Sequence, residues 1–388
     1  MKIFFKNLIL LVLTSYLLIG CTSNESKDIE ATMINGDYSI TTLPKDLFVI
    51  GKIDDDSFIC TDTNQINFYS YNLKTNLKSN ISTSSKDNFI KKAISNEDWI
   101  VWIENDTYKE DISNRSYKWE IHAKNIKTNS EISIDKSNFL NNKYDIPTFV
   151  SYTPNYLDIS SDNKIVYSKM FVEPDGRIVN KLILFNLNDL TSSEILSTID
   201  VKESFISGLS IYNNKILWSE CANYDKTGKL STQFKNSYIY SYDINNTEII
   251  NITTDGYYSN PILNGKTIVA EKLINDKELA ISNIVLIDID SKNITNIVNK
   301  NSIIYSDHKS YSESLSYVVD INDKYIAWQN LLYNSSIYDI KNNTFINLLN
   351  SEEVSTIVSI NKLFDNKIFL TVEKDNNTFE NLCIELNS

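Results

Sequence analysis

Pro261-Ile262-Leu263-Asn264-Gly265-Lys266-Thr267-Ile268-Val269-Ala270, followed after a polar stretch by Ile284-Val285-Leu286-Ile287-Asp288-Ile289, carries the architecture of this chain. A short apolar segment, 261–263, meets a turn at Asn264-Gly265-Lys266, and the apolar triplet Ile268-Val269-Ala270 follows. The run 284–289 then turns at 290–293 and ends in a further short segment, 294–298. Alternating apolar runs bounded by Asn, Asp and Gly turns predict strands, because successive side chains of a strand point to opposite faces. Four strands therefore fit between Ser259 and Val298.

The same turn-plus-triplet unit recurs along the chain. The triplets are Phe58-Ile59-Cys60, Ile100-Val101-Trp102, Ile165-Val166-Tyr167, Ile216-Leu217-Trp218, Ile268-Val269-Ala270, Ile326-Ala327-Trp328 and Ile368-Phe369-Leu370. Most follow a turn such as Asp162-Asn163-Lys164, Asn213-Asn214-Lys215 or Asn322-Asp323-Lys324. Alternating strands come next, at 68–73, 121–126, 182–187, 238–244, 284–289 and 336–340. Beyond the leader no stretch holds a helical period. Seven copies of a four-stranded meander predict an all-β, seven-bladed β-propeller, with six and eight as the neighbouring blade counts. Radial packing buries both faces of each blade, so the triplets can be apolar throughout. Trp102, Tyr167, Trp218 and Trp328 are expected to fill the space between blades.

The seventh copy runs out after residues 382–386, one strand short. Near the start, Tyr38–Thr42 has no blade of its own, and its Ile40-Thr41-Thr42 matches Ile252-Thr253-Thr254 in the outer strand of the fourth copy. The N-terminal strand is therefore expected to pair with the last blade and close the ring, leaving no open first or last blade.

The run from Asn264 to Ala270, with the strand at 284–289, resembles the repeat of TolB-like (WD40-like) β-propellers. That repeat has an Asp-Gly-Lys turn, an apolar strand, then an apolar strand with an Asp near its end. Asp243, Asp288 and Asp339 stand at that last position, and Asn72, Asn125 and Asn186 replace it elsewhere. The resemblance covers nearly the whole chain beyond the leader. It implies the propeller fold; the family includes periplasmic binding proteins and the propeller parts of some peptidases, so it implies no single activity.

Residues 1–20 read as a secretory signal, with Lys2 and Lys6 ahead of an apolar run over 8–19. Leu18-Ile19-Gly20-Cys21 resembles a lipobox, the motif of bacterial lipoproteins. The resemblance implies a diacylglyceryl group on Cys21, which becomes the mature N-terminus, and an extracytoplasmic protein held by lipid on the outer face of the cytoplasmic membrane. Residues 22–35 are polar and read as a flexible tether of at most about 45 Å. The expected division is a signal peptide over 1–20, a tether with lipidated Cys21 over 21–36, and one propeller domain over 37–388.

A formal net charge of -13 repels phosphate backbones and argues against nucleic-acid binding. Eight glycines are few for so many turns, so Asn and Asp are expected to supply the left-handed positions. Cys60, Cys221 and Cys383 are odd in number and cannot all pair. Buried thiols are the expectation, with Cys60–Cys383 a conceivable disulfide because ring closure makes their blades neighbours.

Function is read from the connections. Turns between first and second strands, and between third and fourth, are short. The long connections, at 104–118, 135–156, 220–236, 271–283 and 300–314, join second to third strands or one blade to the next, and these two sets emerge on one face of a propeller. They carry Tyr144, Phe149, Tyr152, Tyr156, Tyr224, Phe234, Tyr305 and Tyr311, and aromatic residues dominate binding hot spots. Asp62, Glu104, Glu220 and Glu271 follow their triplets and can line the same mouth, favouring a cation or a basic peptide, although Lys169, Lys272 and Asn330 interrupt the pattern. His308, beside Asp307, is the one candidate general base; His122 reads as a packed strand residue. No HExxH, GxSxG, P-loop or paired-cysteine zinc motif is present, so no cofactor or metal is implied. Asp288–Asn293 fits a turn better than a calcium loop, and Asp175-Gly176 reads as a hairpin turn. Two functions follow as expectations. One is a non-catalytic module whose long-loop face binds a protein, peptide or glycan. The other is a propeller hydrolase or lyase with acidic groups in the central channel.

Overall fold

The computed structural model describes residues 27–387, apart from 84–87, 107–118, 138, 142–146, 150–153, 174, 199–203, 223–235, 274–281, 300–315, 331–334, 349–355 and 375–377. The described residues form seven four-stranded antiparallel blades arranged as a β-propeller, with no helix among them. The first strands of the blades are Leu47–Lys52, Asn88–Ser95, Tyr156–Ile159, Ser204–Tyr212, Tyr258–Asn264, Ser316–Ile321 and Thr356–Phe364. Each touches the first strand of the next blade, and the last touches the first, so these seven strands ring the centre.

Every apolar triplet lies on the second strand of a blade, and its middle residue is fully buried in all seven. The core falls into seven clusters, one at each seam between consecutive blades. Trp102, Tyr167, Trp218 and Trp328 sit in four of them, as their spacing predicts; Trp102 meets Phe68 of the preceding blade at 5.2 Å between ring centroids. The seam between blades 7 and 1 holds Cys60 and Cys383 as free thiols, and burial pushes both up to about 12. They act as small core hydrophobes.

Asn76, Asn129, Asn163, Asn213, Asn343 and Asp365 hold φ between 51° and 66°, doing the work that glycine does elsewhere. Asp288 accepts the Ser291 N–H at 2.7 Å, which makes 288–293 the turn its sequence suggests.

Two N-terminal strands lie outside the meander. β1 (Lys27–Asn35) runs parallel to the outer strand of blade 5 with its first half and to that of blade 6 with its second, joining both blades into one nine-stranded sheet. β2 (Tyr38–Thr42) pairs antiparallel with Thr378–Leu386, Ile40 opposite Ile384, and supplies the missing fourth strand of blade 7. The predicted closure is therefore present. The predicted tether is corrected over 27–35: this segment is a strand, because two outer strands offer free edges and Ala31 finds a buried place at the seam between them. The strand match to Ile252-Thr253-Thr254 also shifts. The outer strand of blade 4 is Glu248–Asn251, and Thr253 follows it to accept the Ile239 N–H through its hydroxyl at 2.9 Å.

In six of the seven first strands a bulge interrupts the pairing with the second, at 50, 91, 207, 260–261 and 319, and twice in the last, at 358 and 361. Bulges bend and twist a strand, which suits strands crowded around an axis. The inner edges of these strands still need partners, and in blades 4, 7 and 1 polar side chains from the preceding blade provide them, while in blade 2 the Gln65 carbonyl accepts the Ile90 N–H at 2.7 Å. The Asp158 carboxylate accepts the Ile211 N–H at 2.8 Å, and Asn180 Oδ1 accepts the Ile206 N–H at 2.9 Å. Asp320 and Gln329 accept the Leu363 and Ile360 N–H groups at 3.2 and 3.3 Å. Asn381 donates to the Leu47 carbonyl at 2.9 Å across the closing seam.

Candidate functional site

Charged groups gather at the centre of the ring. Lys362 of blade 7 pairs with Asp320 of blade 6 at 3.2 Å, and this neighbour raises the lysine's pKa. Asp158 of blade 3 lies close enough to Lys362 and to Lys92 of blade 2 to feel both ammonium charges. Burial nevertheless raises the pKa of Asp158, outweighing the amides of Ile211 and Ile159 that favour its charge; burial likewise lowers that of Lys92. Two acids and two lysines thus face one another. Among the described residues no three His, Cys, Asp or Glu side chains come together as metal ligands.

The acidic residues singled out from sequence are each engaged by nearby groups. Glu104 is buried and accepts Trp102 Nε1 and Asn88 Nδ2, both at 3.0 Å. Asp62 accepts the Ile66 N–H at 2.8 Å and Asn67 Nδ2 at 2.6 Å, closing a turn. Glu220 accepts the Ser204 hydroxyl. Glu271, also buried, accepts Ser259 Oγ at 2.8 Å and Asn260 Nδ2 at 3.0 Å. Each carboxylate is engaged by its own or a neighbouring strand, so a carboxylate near a strand exit marks local wiring. His122 is packed as expected, stacked on Trp102 at 5.2 Å and flanked by Glu104, Glu120 and Glu131 at 3.7–3.9 Å. Cys21, Tyr152, Tyr224, Tyr305 and His308 lie outside the described residues.

The structure does bring two of the long-loop ends, at blades 3 and 4, together with the connection that leads into blade 5. Tyr156 opens the first strand of blade 3, Cys221 lies near the end of the second strand of blade 4, and Tyr257 precedes blade 5. The Tyr257 hydroxyl and the Cys221 thiol are 3.3 Å apart. Burial raises the pKa of both tyrosines, with Cys221 and Glu271 adding to it, so both hydroxyls stay protonated at neutral pH.

Beside this group, at the same end of blades 3 and 4, lies a cavity of about 160 Å³ lined by Asn155, Ser168, Lys169, Met170, Asn180, Phe205 and Ile206. Lys169 is held by Asp135 at 2.5 Å, and the same carboxylate oxygen accepts the Tyr167 hydroxyl at 2.9 Å. Ser168 and Asn180 are each 5% exposed. The sequence points to Tyr156 but not to this cavity. Polar residues set among the apolar ones of a strand, as at Ser168 and Asn180, are the signal it leaves, and many such residues are structural.

No known family model matches the chain, and no curated protein matches it in sequence. Its fold is similar to that of an oligogalacturonate lyase in complex with manganese, at TM-score 0.55 and 10% identity, over 93% of this chain and 99% of that one. It is similar also to the acylaminoacyl peptidase of Pyrococcus horikoshii, at 0.52 and 12%, over 78% of this chain and 46% of that one. A prolyl endopeptidase matches at 0.51 and 7%, over 90% and 50%. At such identities the likeness shows the fold alone, that of a seven-bladed β-propeller.

The central acid gives a pH test. A carboxyl whose pKa is raised by folding contributes stability below its unfolded value, and that contribution is lost as pH rises through the folded value. Asp158→Asn keeps an acceptor for the Ile211 N–H without the charge. It is expected to melt higher than wild type at pH 7, with the difference vanishing toward pH 4. A melting temperature below wild type at pH 7 that recovers toward pH 4 would show that the charge itself holds the ring.

Proposed function

We propose that the protein is a lipid-anchored, extracytoplasmic propeller that binds a ligand without catalysis through its long-loop face. The carrying observation is the cavity between blades 3 and 4, which keeps polar groups buried at the end of the blades where the long connections start. The strand ends flanking 107–118, 223–235, 274–281 and 300–315 all belong to that end, since each connection joins second to third strands or one blade to the next. Loops on a rigid scaffold are the usual place for recognition. The lipid anchor rests on the lipobox resemblance at Cys21.

A hydrolase or lyase is the second reading, favoured by the grouping of Tyr156, Cys221, Tyr257 and Glu271. Both Glu271 oxygens already hold donors, and the central acids are matched by lysines. Neither feature supplies the free carboxylate that such chemistry uses as a base.

Ala222 and Asn236 are paired directly across the hairpin, so an Asn-Gly turn can replace 223–235 without disturbing either strand. The replaced protein should keep its melting temperature but lose whatever the wild type retains from a cell-envelope extract, with retention insensitive to a chelator. Equal retention by both proteins would contradict the assignment to this face. Separately, Cys21→Ser should abolish incorporation of labelled palmitate and move the protein from the membrane to the soluble fraction. An unchanged membrane fraction would remove the anchor from the account.

A further inference from the structure

Asn180 is wired so that only one of its polar atoms is left over. Its backbone N–H donates to Thr198 Oγ1 at 2.8 Å, and its carbonyl accepts the Thr198 N–H at 2.9 Å. Its side-chain oxygen accepts the Ile206 N–H, which fixes the orientation of the amide. The Nδ2 group remains, on a buried residue that lines the cavity, and no partner for it stands among the described residues. Ser168 lines the same cavity, equally buried, with its hydroxyl also unpartnered there. Both groups line the cavity, where a ligand or ordered water can complete their hydrogen bonding.

The chemistry of the walls narrows the ligand. Lys169 brings a positive charge, but Asp135 neutralises it at 2.5 Å, so the cavity offers no net charge to a carboxylate or a phosphate. Its polar groups toward a ligand are Asn180 Nδ2, the Ser168 hydroxyl and the Asn155 carboxamide, so both donors and acceptors are present. Asp135 is spent on Lys169, Tyr167 and the Lys136 N–H, and Asn180 Oδ1 is spent on Ile206. A sugar hydroxyl both donates and accepts, and so matches the two carboxamides and the Ser168 hydroxyl. Met170 and Phe205 add an apolar wall for the C–H face of a ring. The volume, about 160 Å³, is below the roughly 300–1,000 Å³ of sites for drug-sized ligands and suits one residue.

Building on the binding reading above, we infer that the cavity between blades 3 and 4 receives one neutral pyranose residue, its hydroxyls accepting from Asn180 Nδ2 and exchanging a hydrogen bond with Ser168. The site is a subsite of the long-loop face, and the ligand is a neutral sugar or the end of a neutral glycan.

The test uses the whole protein and named probes: the methyl pyranosides of glucose, galactose and mannose, with galacturonate and a triglycine amide beside them. Binding is read by saturation-transfer NMR and calorimetry. At least one methyl pyranoside should bind, more tightly than galacturonate or the peptide. Ser168→Ala should weaken that binding about five- to tenfold, the effect of one hydrogen bond. Asn180→Asp keeps the acceptor for Ile206 while losing the donor, and should do the same. Ser168→Ala carries the test alone if Asn180→Asp fails to fold, because the Ser168 hydroxyl holds nothing else in place. No binding by any pyranoside, or binding that neither variant alters, overturns the inference. Preference for triglycine amide or galacturonate, weakened by Ser168→Ala, overturns the sugar while the binding reading stands. A face on which neither these variants nor replacement of 223–235 alters any ligand overturns both.

Discussion

The innermost strand of a propeller blade has a problem that no other strand in the molecule shares. One edge pairs with its own blade, while the other is enclosed by the ring, where an unmatched amide costs as much as a lost hydrogen bond. This chain meets the problem with side chains of the preceding blade. Asp158 and Asn180 serve blade 4, Asp320 and Gln329 serve blade 7, and Asn381 serves blade 1. The apolar seams hold the blades face to face, and these bonds set the height at which one blade meets the next.

The same constraint gives the termini their place. A ring of blades has no free first or last sheet only if the ends of the chain meet, and β2 does this by completing blade 7. The segment before it continues around the outside. β1 covers the outer edges of blades 5 and 6, so three consecutive blades are bound by one stretch of chain before the meander begins. Protection of edge strands by added chain is a common defence against aggregation. A lipid on Cys21, under the proposal above, would leave only residues 22–26 between the acyl chains and the rim of blade 5, so the disc would be held close to the bilayer.

What could be read from sequence was whatever repeats. The triplets are apolar because they are buried on both faces, and burial leaves that mark in every blade. The closing strand was legible for a related reason: a missing strand at one end and a spare one at the other. β1 was not legible. Its residues are polar at half the positions, and nothing local distinguishes a strand on the rim from a tether. The site was the least visible part. Glu104 and Glu271 attracted attention as acids near a mouth, yet each is consumed by neighbours within its own blade. Asn180 and Ser168 attracted none, because a single polar residue in a strand looks the same whether it stitches blades or faces a void. Only the count of hydrogen bonds around Asn180 separates its two roles.

The stitching of inner-strand edges is tested most directly where the ring closes. Asn381 donates to the Leu47 carbonyl and also accepts the Thr371 hydroxyl at 2.7 Å, so one side chain ties the last blade to the first. Urea unfolding of Asn381→Ala should show a single transition shifted to lower denaturant, a loss of about 1–3 kcal/mol. An unchanged midpoint would mean that the apolar seams alone hold the ring closed and that the polar stitches are incidental.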